Sequence, residues 1–364
     1  MKRLSVLWII VCILAFSFTV PVSAENRTVT YRNAKTLGMG NAKIAGGYGY
    51  NGFIDNPALL SRVHIIRLSV INLPITINKH ALDIGKFIDD NQDKFENFDE
   101  LSNQEMVDFL DDVQKYDGKW AHINLSPLFD IAFSLPGQSL GLAVYNTTDV
   151  SVKVDRGIYE PRVWGKGTSD LVAVLGYARP LTMLYPGLTV GVNLKYIQRR
   201  RASLFQIKAT DLGDIQEIIE PVTEEVKEEE KNTFAVDVGA LWDIPFIDTE
   251  VGATIQSIGD GKGASVDIGA SKRFLSDNLT LLADYIDFFD NNKENVFNKL
   301  HIGAEYKMQT IAFRTGINSG YPVVGMGLDF RIIDIDAAYF FDELSNAPGV
   351  NEDTRYIVQL KFGW

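Results

Sequence analysis

A glycine-rich stretch near the start of the chain is the first candidate for chemistry. Residues 47–52 read GYGYNG, which fits the G-x-G-x-x-G pattern of a dinucleotide-binding loop. That loop needs a strand before it, a helix opening at its last glycine and an acidic residue about twenty positions further on. Here more glycine precedes the stretch and Pro57 follows it. We therefore interpret these glycines as residues that permit turns and close backbone contacts.

The histidines and the cysteine offer no catalytic or metal-binding pattern. His64, His80, His122 and His301 are scattered without His-x-x-x-His spacing, and no G-x-S-x-G elbow occurs. Cys12 is the only cysteine, and it lies in an N-terminal apolar run that processing would remove. We expect no enzyme activity, no cofactor and no metal, although an enzyme whose site is assembled from distant residues stays open as an alternative.

The first 24 residues predict a secretory signal peptide. A basic MKR start and an apolar run over residues 4–20 precede VSA at 22–24, a small-x-small cleavage pattern. We expect cleavage between Ala24 and Glu25, with a retained membrane anchor as the alternative. A lipoprotein is disfavoured because no small-residue lipobox precedes Cys12.

Composition excludes some partners and leaves two classes of exported protein. The net charge of −12 and the pI near 4.9 have the wrong sign for a nucleic-acid binder. No later run reaches the roughly 18 apolar residues of a transmembrane helix. Yet 46% of residues are hydrophobic and 11% are aromatic. The chain is therefore either a soluble exported domain or an outer-membrane β-barrel.

Alternating hydrophobicity predicts strands along most of the chain. At the C-terminus Tyr356, Val358, Leu360, Phe362 and Trp364 alternate with polar or small residues, so a strand there has one apolar face. The same period recurs upstream, and the opposite face carries charged residues and glycines together. A soluble sandwich also has polar outer faces, so alternation alone does not decide between the two classes.

The strand count and the lengths of the connections favour the barrel. Connections between the predicted strands alternate between mostly long, polar loops and short turns, which is how outer-membrane barrels are organised. Apolar faces then meet hydrocarbon, while Gly, Asp, Lys and Arg line the interior. The fourteen strands are predicted to start near Ile65, Ala121, Ser139, Asp170, Leu188, Asn232, Thr249, Ala264, Leu279, Leu300, Gln309, Val323, Ile335 and Thr354.

Two charged residues conflict with this pattern. Lys272 falls on the apolar side of its strand, and Asp287 falls on the predicted apolar side of another. A lysine facing lipid costs about 2–4 kcal/mol at the bilayer midplane and roughly 0–1 kcal/mol near the interface. We expect both residues to be tolerated because they lie near strand ends.

Two connections are more than plain loops. Residues 81–118 space apolar side chains at helical period, which we interpret as a core internal to the loop, with a ligand groove or a partner face as alternatives. Residues 206–231 are acidic and begin as a helix that Pro221 interrupts. Their glutamates are interpreted as a solvated face; cation binding is the alternative, although no calcium-loop pattern is present.

The segment before the first strand ends in a helix start. Asn56 fits the N-cap position and Pro57 fits the first helical position. Both termini of a barrel lie on the same side of the membrane. A compact, small-residue segment upstream of the first strand can therefore fold up into the lumen.

The sequence of this segment resembles a known family. NAKTLGMGNA at residues 33–42, followed by DNPALL at 55–60, resembles the N-terminal hatch of FadL-like outer-membrane proteins, which include the FadL, PorV/PorQ and TraF-like groups. The NPALL ending and the helical insert after the first strand are most similar to the TraF-like conjugal-transfer group. The chain departs from the family pattern at Asn41-Ala42-Lys43, where members often carry a further glycine or alanine. The resemblance implies fourteen strands, the number counted above from the residues alone.

These observations predict an all-β transmembrane chain: a 14-stranded antiparallel outer-membrane barrel with an N-terminal luminal plug and helical extracellular loops. Its parts are a signal peptide (1–24), a hatch or plug (25–63) and the barrel (64–364). The resemblance also implies that the C-terminal residues Tyr356, Val358, Leu360, Phe362 and Trp364 are read by the barrel assembly machinery. The residues expected to set hatch geometry, and to perform no chemistry, are Gly38, Met39, Gly40, Asn41, Ala42, Asp55, Asn56, Pro57 and Ala58.

The resemblance implies two functions of different classes. One is passive transport of small, hydrophobic molecules across the outer membrane of a diderm bacterium, in which the hatch rearranges or a gap in the wall releases the ligand sideways. The other is a non-catalytic scaffold or partner in secretion or conjugal transfer. The expected partners are outer-membrane lipid, the barrel assembly machinery and either a hydrophobic small molecule or a secretion or transfer protein, with no nucleic acid.

Overall fold

A computed structural model describes residues 31–46, 49–97, 100–157, 162–183, 185–208, 229–260, 264–291, 295–343, 349 and 351–364. The predicted signal peptide, including its Ala24–Glu25 cleavage site, lies outside the described residues. So do residues 47–48 of the glycine-rich stretch and residues 209–228 of the predicted acidic loop.

Fifteen strands form one antiparallel sheet that closes on itself. Apart from β2 and β3, strands adjacent in sequence are adjacent in the sheet, and β15 returns to pair with β1 from Ser69–Gly363 to Asn78–Arg355. The strands are β1 (Ile66–Asn78), β2 (Ala121–Leu125), β3 (Leu128–Leu135), β4 (Gln138–Asp155), β5 (Arg162–Pro180), β6 (Leu188–Lys208), β7 (Glu229–Ile244), β8 (Thr249–Ile258), β9 (Ser265–Phe274), β10 (Leu279–Tyr285), β11 (Leu300–Met308), β12 (Ile311–Asn318), β13 (Tyr321–Asp329), β14 (Ile333–Glu343) and β15 (Glu352–Gly363).

The barrel has the fourteen strand positions that the sequence predicted. β2 and β3 lie end to end, and both pair with β1 on one side and β4 on the other. They separate at Pro127, which has no N–H to donate to the ladder. Leu125 still lies opposite Thr148 and Leu128 opposite Tyr145, so the register on β4 continues across the break.

Short helices accompany the sheet. They are α1 (Ala34–Gly38), 3₁₀ helices at Gly49–Ile54 and Pro57–Arg62, α2 (Lys79–Asp90), α3 (Gln92–Glu96), α4 (Asn103–Gln114) and α5 (Val296–Lys299). None of the helices that the structure describes is long and apolar enough to cross a membrane.

The two ends of the barrel differ. Turns such as residues 136–137 and 275–278 lie at one end, here called the short-turn end, together with the start of β1 and the C-terminus. The opposite end, here called the long-loop end, carries the helical insert of α2, α3 and α4. β4 to β7 have 16–21 residues, whereas β8 to β13 have 7–10. One flank of the wall therefore extends further at the long-loop end.

One predicted strand start was wrong. The strand expected to begin near Asp170 begins at Arg162, so the loop before it is shorter than expected. The additional residues at the start of β5 include Gly165, Lys166 and Gly167, which show no apolar alternation. This part of β5 lies in the extended flank, where the outer face no longer repeats the apolar pattern that identifies strands.

Outward and inward faces have opposite chemistry. Leu142, Leu175, Phe234, Phe313 and Val324 point outward and are between 43% and 64% exposed. The side chains that alternate with such residues point inward and are mostly charged, polar or glycine. Inward examples that are 7% exposed or less are Asp170, Asn193, Asp237, Arg314 and Gln359.

The structure places the two charged exceptions, Lys272 and Asp287, in different environments. Lys272 lies two residues from the end of β9, with its ammonium 5.3 Å from the centre of the Phe274 ring. Asp287 does not face outward: it follows β10, is 2% exposed and pairs with Lys299 across 3.3 Å. The expectation for Asp287 was wrong because β10 ends at Tyr285, so strand alternation no longer sets its direction.

The helical insert has its own apolar cluster. Ile84 and Phe87 of α2 pack with Phe109, Leu110 and Val113 of α4. The Phe87 and Phe109 rings stack with centres 6.0 Å apart. Ser102 and Glu105 form a capping box at the start of α4. The same cluster includes Ala121 of β2 and Val154 of β4, so the insert is fixed to the wall.

A closed barrel resists SDS until heated, because its last strand pairs with its first and leaves no free edge. We expect the detergent-solubilised protein to migrate differently on SDS gels before and after boiling; identical migration would contradict closure. Val358→Pro, which removes an N–H within β15, should lower the temperature at which the compact band disappears. Val358→Ala, which keeps the backbone donor, should lower it less.

Candidate functional site

Residues 31–46 and 49–63, here called the N-terminal segment, lie inside the barrel. The side chain of Asn33 caps α1 by accepting hydrogen bonds from the N–H groups of Lys35 and Thr36. After α1 the chain turns at Gly40 and Asn41, whose φ angles are 66° and 62°. From there the segment crosses to the opposite wall, where its two 3₁₀ helices lie.

The N-terminal segment comes closest to the wall at glycine residues, which have no side chain. A Cβ atom on Gly191 would lie 2.5 Å from the Pro57 carbonyl carbon, and one on Gly252 would lie 2.5 Å from the Ile44 oxygen. Eight inward glycines form four pairs, and the two members of each pair lie directly opposite each other on neighbouring strands: Gly141–Gly176, Gly191–Gly239, Gly252–Gly269 and Gly303–Gly316. With Gly325, these inward glycines form a set that we call the glycine belt. Only glycine permits backbone to approach backbone this closely.

Asn56 joins the segment to itself and to the wall. Its Nδ2 donates to the oxygen of Ile44 at 2.8 Å and to the oxygen of Ala240 on β7 at 3.2 Å. Its Oδ1 accepts from the N–H of Ala58 at 3.1 Å and so caps the 3₁₀ helix Pro57–Arg62. The side chain is fully buried, so each of these bonds replaces contact with water.

A wall carboxylate holds the middle of the segment. Asp284 of β10 accepts hydrogen bonds from the N–H groups of Lys43 at 2.5 Å and Ile44 at 2.9 Å. The Lys43 ammonium in turn lies 2.7 Å from Asp55, and both side chains are at most 7% exposed. The oxygen of Asp55 accepts from Gln256 of β8 at 3.0 Å. The backbone of the segment is thus hydrogen-bonded to two strands of the wall, while the Lys43–Asp55 ion pair joins two parts of the segment to each other.

Ion pairs tie both ends of the segment to the wall. Near the long-loop end, Arg32 pairs with Asp342 at 2.8 Å, and Asp342 also binds Arg355 at 2.7 Å. Near the short-turn end, Arg62 pairs with Glu250 of β8. The segment is therefore anchored at its start, its middle and its end.

One side of the lumen is apolar. Phe53, Ile54 and Leu60 of the segment pack with Ala143 of β4 and Val174 of β5, all at most 3% exposed. Tyr31 lies against Tyr145, with ring centres 5.5 Å apart. Burial, reinforced by the nearby carboxylates of Asp130 and Asp55, raises the pKa of the Tyr31 phenol well above its usual value.

Inward ion pairs also line the lumen, some of them on strands that contribute to the apolar cluster. Arg314 of β12 bridges Glu305 at 2.7 Å and Asp336 at 2.6 Å, and Lys195 of β6 pairs with Asp237 at 2.5 Å. Among the described residues, no group of three His, Cys, Asp or Glu side chains could hold a metal ion. These charges neutralise one another and hold the wall together.

The structure places the expected hatch residues in two groups on opposite sides of the lumen. Gly38 lies against Gly325, and Met39 and Gly40 lie against β11 and β12. The residues Asp55, Asn56, Pro57 and Ala58 lie on the other side of the lumen, against β6, β7 and β8. Asn41 forms the turn after α1, and Ala42 is buried with Met39 and Leu282.

Sequence reasoning did not single out the wall residues that receive the segment. These are the glycine belt, Asp284, Asn193 and Glu250. A usable signal was present, since glycines recur at inward positions of successive strands. On β15, Val358, Leu360 and Phe362 face outward as the alternation predicted, and Trp364 follows the strand, where its N–H donates to the oxygen of Leu68.

Comparison with known proteins identifies similar folds. No protein-family model and no curated protein sequence matches the chain. Among solved structures, the toluene transporter TbuX of Ralstonia pickettii is similar with a TM-score of 0.53, 12% identity and coverage of 92% of this chain and 98% of that one. The toluene transporter TodX of P. putida gives a TM-score of 0.51, 12% identity and coverage of 92% and 97%. The monoaromatic hydrocarbon channel CymD gives 0.51, 12%, 91% and 96%. The chain therefore shares the barrel fold of these proteins.

Gly303→Ala should destabilise the protein, because its methyl group would overlap the oxygen of Met39 and push the N-terminal segment away from β11. Overpacking of this kind costs typically about 1–3 kcal/mol. Denaturant unfolding in detergent should show the loss as a lower midpoint. Ala304→Val is the matched control, since the adjacent side chain points to the outer face; an equal loss in both variants would contradict the contact.

Proposed function

We propose that the chain is a FadL-like outer-membrane barrel of a diderm bacterium, through which small, hydrophobic molecules cross passively. The observation that carries the proposal is a closed barrel of fourteen strand positions whose lumen holds the N-terminal segment. Three hydrocarbon transporters or channels share that barrel fold. In this reading the N-terminal segment is a luminal hatch, and the chain performs no catalysis.

The outer surface supports a membrane location. Apolar side chains cover the outward face, and β8 to β13 have 7–10 residues, close to the span of a bilayer. Aromatic side chains lie near both ends, with Tyr185 and Trp242 at the short-turn end and Phe288 and Phe289 at the long-loop end. Short turns face the periplasm in such barrels, so the helical insert would be extracellular.

The proposed partners follow from this location. Outer-membrane lipid would cover the apolar band, and the barrel assembly machinery would read the C-terminal strand that ends in Phe362 and Trp364. This strand closes the barrel against β1, so its docking would complete folding.

Transport through the lumen requires the hatch to move. The described strands pair with their neighbours all around the wall, apart from local bulges, so the ladder contains no missing strand. The hatch contacts β4 to β9 and β11 to β13 through the glycine belt, and β10 through Asp284. Hatch rearrangement is therefore the step that we assign to ligand passage.

A second candidate function is a non-catalytic scaffold or partner of a secretion or conjugal-transfer system. Two observations favour it. The N-terminal segment is anchored at three levels by Arg32, Asp284 and Glu250, which resists movement. The short turns also expose apolar side chains almost completely, with Met183 at 103% and Phe246 at 94%. Such residues could contact a periplasmic protein.

Flux through proteoliposomes tests the transport proposal. Toluene should enter liposomes containing the protein faster than empty liposomes, while sucrose should not, because the hatch fills the lumen. Toluene entry no faster than through lipid alone would contradict transport and favour the scaffold role. Correct folding is checked in the same preparation by heat-dependent gel mobility.

Loosening the hatch should raise the permeability of the barrel to small hydrophilic solutes. Deleting residues 25–61 should let small hydrophilic solutes through, because the segment that fills the lumen is removed. Asn56→Ala tests the same point if the deletion fails to fold, since it removes one buried side chain that makes three hydrogen bonds. Gln104→Ala, in the exposed helix α4, is the control. Unchanged permeability in the folded hatch variants would contradict a luminal plug.

A further inference from the structure

Four side chains at the long-loop end form a group that the proposed function does not use. Lys153 lies on β4, Trp164 and Lys166 lie on β5, and Trp120 directly precedes β2. Lys153 is directly opposite Trp164 in the β4–β5 ladder. We call these four residues the mouth cluster.

Strand alternation places the cluster on the inner face. Lys153 lies an even number of residues from Tyr145, which packs on Tyr31 of the N-terminal segment. Lys166 and Trp164 are likewise in phase with Gly176, which lies against Leu60. The cluster therefore faces the lumen, beyond the segment and towards the long-loop end.

The two lysines are held by indole rings and not by carboxylates. The Lys153 ammonium lies 5.5 Å from the centre of the Trp120 ring and 5.7 Å from that of Trp164. The Lys166 ammonium lies 5.0 Å from the Trp120 centre. Within the described residues neither lysine makes an ion pair, unlike the inward cations Lys195 and Arg199. Cation–π contact positions an ammonium and leaves its N–H donors available.

A further donor in the cluster has no partner. The Nε1 of Trp164 is buried and makes no hydrogen bond in the part of the chain that the structure describes. A buried N–H without an acceptor carries a cost that a bound acceptor would remove. Two ammonium groups and an indole N–H thus lie in one cluster as donors available to an acceptor.

Nearby charges do not supply that acceptor. Arg355 is bound by Asp353 at 2.8 Å and Asp342 at 2.7 Å, and Asp342 also holds Arg32. His122 contacts the hydroxyl of Ser151, the residue opposite Lys166. Asp342 and Asp353 are therefore engaged by arginines, and among the described residues neither they nor the inward Asp149 and Asp155 of β4 form an ion pair with Lys153 or Lys166.

We propose that the mouth cluster binds a small aromatic oxyanion, a single ring that carries a carboxylate or sulfonate. The oxyanion accepts hydrogen bonds from Lys153, Lys166 and the Trp164 N–H. The ring packs edge to face on the indoles, a geometry that aromatic pairs favour. This site rests on the proposed transport function, for which it is the capture point at the extracellular mouth, and it names charged aromatics as a substrate class.

Calorimetric titration of the folded protein in detergent with benzoate, benzenesulfonate, hexanoate and toluene tests the site. Benzoate and benzenesulfonate should bind, and salt should weaken binding because it screens the lysines. Lys153→Met with Lys166→Met should lower benzoate affinity about tenfold or more, since hydrogen bonds to charged groups are lost. Lys→Arg at both positions should retain binding. Lys272→Met is the matched control, because it removes an outer-face lysine that also lies over an aromatic ring.

The outcomes of these experiments distinguish failure of the proposed binding site from failure of the proposed transport function. Equal benzoate affinity in the wild type and the double Met variant, or no benzoate binding by the folded wild type, would overturn the site. Hexanoate binding as tight as benzoate would overturn the aromatic preference, and lysine-dependent toluene binding would overturn the oxyanion. Benzoate that binds but does not cross proteoliposomes contradicts charged aromatics as a transported substrate class and leaves the site intact, whereas transport itself is contradicted by the absence of toluene flux. Benzoate flux that is unaffected by the double variant contradicts the site and leaves transport intact.

Discussion

The pairing of β15 with β1 is the interaction on which the other features depend. It runs from Ser69 to Asn78 of β1, with one bulge between Ser69 and Ile71, and it removes the last free edge of the sheet. Once the sheet is closed, successive side chains along each strand face opposite environments: one face of the strand lies on the outside of the barrel and the other lines a confined lumen. Apolar side chains can then cover the outside while Asp237 and Arg314 lie within, provided that hydrocarbon surrounds the wall.

The N-terminal segment occupies the closed lumen and is held there by two different means. At Gly191, Gly252 and Gly303 of the glycine belt the contact is backbone against backbone, and at Gly141 and Gly176 the side chains of Phe53 and Leu60 lie against the wall; both kinds of contact fix the position of the segment because no atoms can be removed from the wall there. Elsewhere the contact is polar: Asp284 receives two N–H groups of the segment, and Asn193 donates to the oxygen of Phe53 at 2.6 Å. Shape and hydrogen bonding therefore specify the same placement, and a shifted segment would lose both.

This double specification bears on the choice between the two proposed functions. A hatch that moves must release buried pairs such as Lys43–Asp55 from their surroundings or carry them along together. Because that pair lies wholly within the segment, it can travel with the segment, whereas the bonds to Asp284 and Glu250 must break. The mouth cluster lies beyond these contacts and stays accessible from the long-loop end with the lumen still filled. Capture and passage can thus be separate steps.

The sequence by itself determined the barrel. The period of two, the fourteen apolar stripes and the alternating loop lengths are local properties, and closure follows from them because unpaired backbone is too costly in hydrocarbon. The cap at Asn56 was also local, since Asn and Pro act on their own helix. Only the tertiary structure decided which wall residues meet the segment. Gly303 and Met39, or Asp284 and Lys43, are far apart in sequence, and their contact depends on the register and tilt of many strands together. The same reason explains Asp287, whose direction is set by its ion pair with Lys299 across a loop. It also explains the mouth cluster, because only the pairing of the strands places Lys153 and Lys166 over the ring of Trp120.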